Sequence, residues 1–176
     1  MSAENSVPLH TGAVLVEAGL LTWEELRLRE ERALPGAHSL QRLRRDPYFL
    51  SGPDFAEAAG AARWDWDTSK TYLFCAWAQK TLRERFSLPI TVEAGPEGAR
   101  DPDRLWVRYG DREEVCNWKV INRSKWMGAF CIMANRILEP LGVTALELET
   151  GGFDTVVCFC KSEYVGRVKE ILPVVE

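Results

Sequence analysis

Apolar positions in the second part of the chain alternate between two periods. Phe74, Trp77, Ala78, Leu82 and Phe86 recur at helical spacing, with Ser69 placed to cap the helix and Leu88-Pro89 to end it. Ile90 to Ala94 reads as a strand, and Gly95 to Asp103 as a loop. Leu105 to Tyr109 and Glu113 to Val120 predict a hairpin around Gly110-Asp111, where glycine at the first loop position suits a type II′ turn. Ser124 starts a second helix. It carries Trp126, Phe130, Met133 and Ile137 in one stripe, with Met127, Cys131 and Leu138 beside it. So wide an apolar stripe belongs to a largely buried helix. Thr144 to Glu149 and Phe153 to Cys160 predict a second hairpin around Gly151-Gly152. Ser162 opens a last helix with Val165, Val168 and Leu172 inward. Helix, three strands, helix, two strands, helix is the order of an α+β domain built on antiparallel sheet.

The first third has a different texture. Val14-Leu15-Val16-Glu17 and Leu20-Leu21-Thr22-Trp23-Glu24-Glu25-Leu26 recur 29 residues later as Leu43-Arg44-Arg45-Asp46 and Phe49-Leu50-Ser51-Gly52-Pro53-Asp54-Phe55. Thr22 with Glu25, and Ser51 with Asp54, both fit [ST]-x-x-[DE]. In that pattern a hydroxyl caps free N–H groups at a helix start while a carboxylate reaches back. Residues 9–62 therefore read as a helical repeat module of two helix–turn–helix units, broken at Leu34-Pro35-Gly36-Ala37. Residues 64–176 read as the sheet domain. The two are expected to pack separately, joined at Arg63-Trp64-Asp65-Trp66-Asp67 to Ser69.

Strand alternation places candidate binding residues. With a two-residue turn, Leu105, Val107 and Tyr109 share the core face with Cys116, Trp118 and Val120. The other face carries Trp106, Arg108, Glu113, Val115, Asn117 and Lys119. Arg108 then lies opposite Glu113 as an ion pair, and Trp106 opposite Val115 as an outward apolar pair. In the second hairpin, Leu146, Leu148, Phe153, Val157 and Phe159 are expected on the apolar face. Glu147, Glu149, Asp154, Val156, Cys158 and Cys160 are expected on the other. A two-residue turn would set Glu149 against Asp154, and like charges there oppose pairing. The turn is then longer, or a basic group covers the patch.

Composition narrows the class of function. No apolar run approaches the ~20 residues that cross a bilayer, and residues 1–5 lack the basic start and apolar core of a signal peptide. Five scattered cysteines argue against a disulfide framework and for reduced thiols. A cytoplasmic protein without membrane insertion is expected. Net charge is −4; residues 1–62 hold six basic and nine acidic side chains, and the remainder is also slightly acidic. That balance argues against a nucleic-acid partner, and Arg42, Arg44 and Arg45 read as a solvated face near Glu30 and Glu31.

Candidate chemistry is sparse. Cys158-x-Cys160 places two thiols on one strand face. Cys75, Cys116, Cys131, His10 and His38 lack the paired spacing of a zinc site, so no metal and no cofactor are expected. A cysteine nucleophile would need a base, and both histidines lie in the N-terminal module. Asp65 and Asp67 fit a junction better than an acid–base pair.

On Gly12, Leu15-Val16, Gly19-Leu20-Leu21 and Leu26, the first repeat resembles the small, often tandem helical module at the front of type II secretion and type IV pilus assembly ATPases. Some copies in that family bind cyclic di-GMP through an Arg-Leu-Gly opening. Here His10-Thr11-Gly12 stands in that place, so tight nucleotide binding is not expected. Residues 69–172 are similar, by element order, to type III secretion chaperones and related adaptors. Those folds bind partner segments, commonly dimerise, and are not enzymes. The expectation is a non-enzymatic protein-binding adaptor or chaperone-like regulator, linked by resemblance to secretion or pilus machinery. Its partner would be an extended or basic protein segment or a second copy. The binding residues expected are Trp106, Val115, Arg108, Glu147, Glu149 and Asp154. The alternative is an immunity-type inhibitor that masks a basic toxin with the Glu147, Glu149 and Asp154 face.

Overall fold

The computed structural model describes residues 7–25, 27, 62–64, 71–96, 103–117, 126–148, 155–172 and 174–176. Its elements in chain order are α1 (Val7–Glu17), β1 (Ala62–Trp64), α2 (Thr71–Phe86), β2 (Thr91–Gly95), β3 (Arg104–Tyr109), β4 (Arg112–Asn117), α3 (Trp126–Leu138), β5 (Val143–Leu148), β6 (Thr155–Lys161) and α4 (Val165–Ile171). The order from α2 onward is the one the periodicity predicts, and the class is α+β.

All described strands pair antiparallel, in two three-stranded sheets ordered β2-β3-β4 and β1-β6-β5. In the first sheet Tyr109 pairs with Arg112 across Gly110-Asp111, which is the two-residue hairpin expected. Gly110 has φ +56, and Ser87 is the one described non-glycine residue with positive φ. Positive φ at the first loop position but not the second is the type II′ pattern. The inward residues Val92, Leu105, Val107 and Cys116 are buried.

α3 lies across both sheets and supplies Met127, Phe130, Cys131, Met133, Ala134, Ile137 and Leu138 to the larger core. α2 adds Phe74, Ala78 and Leu82. Phe74 meets Phe130 edge to face with centroids 4.8 Å apart, and Trp77 stacks on Phe159 of β6 at 5.4 Å.

The second hairpin differs from expectation by one residue of register. Leu146 pairs with Cys158, Thr144 with Cys160 and Leu148 with Val156, whereas Val157 and Phe159 share their face with Ala145 and Glu147. Because the side-chain period is two, a one-residue slip moves every side chain to the opposite face. Glu147 therefore does not share a face with Cys158 and Cys160. Both faces are covered as well. Ala145, Val157 and Phe159 enter the core beneath α2 and α3; Leu146, Leu148, Cys158 and Cys160 enter a second core with α1 and α4. A strand buried on both sides has no reason to alternate apolar with polar residues.

The second core also answers whether the N-terminal helix packs by itself. Leu15, Ala18, Leu20 and Leu21 are buried against Leu146, Leu148, Val168 and Leu172, so α1 shares its core with the sheet. The separate packing expected of the first unit does not hold for Leu15, Ala18, Leu20 and Leu21, which are covered by β5, β6 and α4. Lys161 donates its backbone N–H to the Ala18 carbonyl at 2.8 Å, which ties the end of β6 to the end of α1. The helix stops at Gly19 (φ +87), where Leu20 N–H reaches the Leu15 carbonyl and Gly19 N–H the Val16 carbonyl, a Schellman motif. Thr22 then opens the next helical turn through the predicted capping box: Glu25 N–H donates to Thr22 Oγ1 at 3.1 Å, and Thr22 N–H to Glu25 Oε2 at 2.7 Å. The second repeat copy, with Ser51 and Asp54, lies outside the described residues.

Candidate functional site

The outward face of β2-β3-β4 carries the residues read from alternation. Trp106 lies opposite Val115 and, on its other side, opposite Glu93; Arg108 lies opposite Glu113 and Thr91. Arg108 donates Nη1 to Glu93 Oε2 at 2.6 Å and Nε to Glu113. Those hydrogen bonds, Glu113's foremost, raise the already high pKa of the guanidinium. The same group sits 5.6 Å from the centroid of the Trp106 ring. Trp106 is thus half-buried, with one side screened by a cation fixed between two carboxylates. Val115 has no such cover and is 46% exposed.

Beside Val115 runs a shallow groove of about 250 Å³ between the β4 edge and α3, lined by Val115, Cys116, Asn117, Ala129, Ile132, Met133 and Arg136. Ile132 is 67% exposed there. Arg136 closes one end through its Nη1 to Glu114 Oε2 at 3.1 Å, and Arg112 donates to the Arg136 carbonyl. This groove was not read from the sequence. A signal existed: on a helical wheel Ile132 falls almost opposite the centre of the buried stripe of α3, so it is an apolar residue on the polar side.

The sheet edges are treated differently. At β5, the Asn135 side chain of α3 accepts the Ala145 N–H at 2.7 Å and donates to the Ala145 carbonyl at 2.9 Å. Further along, Val174 bridges to Leu148, and Val175 donates its N–H to the Glu147 carbonyl. An amide side chain and a tail segment there take the place of a neighbouring strand. Among the described residues β4 pairs with β3 alone, and no backbone group is bonded to Glu113 or Val115 on its far edge. Unpaired edge groups are a template for another strand.

Glu147, expected on an outward acidic face, does not point outward. Glu147 is half-buried on the α3 side of β5, its carboxylate so close to α3 that a Cβ on Gly128 would lie 2.6 Å from Oε2. Burial raises its carboxyl pKa, and among the described residues the carboxylate has no hydrogen-bond or ion-pair partner. Glu149 and Asp154 lie outside the described residues, as do Asp65, Asp67, His38 and Trp118.

The five cysteines are buried free thiols. Desolvation pushes Cys75 and Cys160 up to about 12 and raises Cys116, Cys131 and Cys158 as well. Such thiols stay protonated and behave as small apolar side chains. Among the described residues no three His, Cys, Asp or Glu side chains converge as a metal site, and no helix is long and apolar enough to cross a membrane. No family model, curated protein or solved structure matches this chain.

Proposed function

We propose that this chain is a non-enzymatic protein-binding adaptor or chaperone-like regulator that works through the β4 edge and the groove beside it. The observation that carries the reading is that two exposed apolar side chains, Val115 and Ile132, share a single groove beside a strand that, among the described residues, pairs on one side only. An extended segment adding to that edge would gain backbone hydrogen bonds from β4 and apolar contact from the groove wall. Trp106, next to Val115 on the open face, supplies a rigid aromatic anchor. The buried, protonated thiols favour binding over cysteine-based catalysis.

The test is a tagged pulldown of the full chain from its native cell, run beside Val115→Lys and Trp106→Ala. The reading requires a specific protein that co-purifies with the native chain and is depleted in both variants. Identical recovery in all three would reject it.

A further inference from the structure

We draw no further inference here: the strongest candidate, the shallow groove between β4 and α3 that carries the exposed Val115 and Ile132, belongs to the site already described, and nothing in the structure shows what covers it.

Discussion

The Arg85 guanidinium at the end of α2 grips the Glu25 carboxylate with both terminal nitrogens, Nη1 to Oε2 at 3.0 Å and Nη2 to Oε1 at 2.7 Å. Glu25 Oε2 also accepts the Thr22 N–H. One carboxylate thus closes a helix cap and fastens the N-terminal segment to the sheet domain. Glu25 is partly buried, which by itself would raise its pKa. The hydrogen bonds and charge of Arg85, with the bonds from Thr22, more than reverse that and bring it to about 2.

The sign of the linkage follows. Glu25 has a folded pKa below its ordinary value of 4.5, so its stabilisation is present above pH 4.5 and lost as pH falls toward about 2. The melting temperature of the native chain should drop through that window, and Glu25→Gln should flatten the drop. The pair is partly exposed, so at neutral pH Glu25→Gln should cost only about 1 kcal/mol. Thermal melts across acid pH check both.

Gly19→Ala should destabilise by roughly 2 kcal/mol or more, from left-handed backbone strain and overpacking. Gly19 sits at φ +87, and an added Cβ would lie 2.7 Å from Cε1 of Phe86. Urea denaturation measures the loss. An unchanged midpoint would mean that the ring moves aside and the turn relaxes.

Asn135→Ala strips the edge of β5 at Ala145, leaving a backbone N–H and C=O in a half-buried site without their partners. A loss of about 1–3 kcal/mol is expected. Amide exchange at Ala145 should accelerate in the variant more than exchange at Val107 in the other sheet.

The five thiols should react with an aromatic disulfide reagent at mildly alkaline pH only as the chain unfolds, and together. Cys75 and Cys160 titrate near 12 in the fold against an ordinary 9.0. Unfolded thiols therefore ionise first, and stability should fall as pH rises above 9.0. Rapid labelling of one thiol in the native chain would contradict this.

Trp106→Ala and Leu105→Ala separate the two faces of β3. Trp106 is half-buried beneath Arg108 on the open face, whereas Leu105 is fully buried. Leu105→Ala should cost roughly 2–5 kcal/mol through a core cavity. Trp106→Ala should leave the fold intact and weaken partner capture by about 1–2 kcal/mol. Chemical denaturation and partner recovery read the two effects separately.

Features coded within a few neighbouring residues were legible from the chain itself. The capping box at Thr22 and Glu25, the turn at Gly110-Asp111, the Arg108–Glu113 and Trp106–Val115 pairs and the buried stripe of α3 all depend on local spacing and a backbone period. Those periods are set by helix and strand geometry, so the first hairpin could be registered without a fold. Tertiary structure decided the rest. Leu146 faces Cys158 and not Val157, because one residue of register inverts a strand. Both faces of β5 and β6 are buried, since α1 and α4 cover the side opposite α3, and a doubly covered strand carries no alternation to read. The groove between Val115 and Ile132 joins residues from a strand and a helix that no periodicity links. It exists because α3 packs along β4 with one apolar side chain left outside the core.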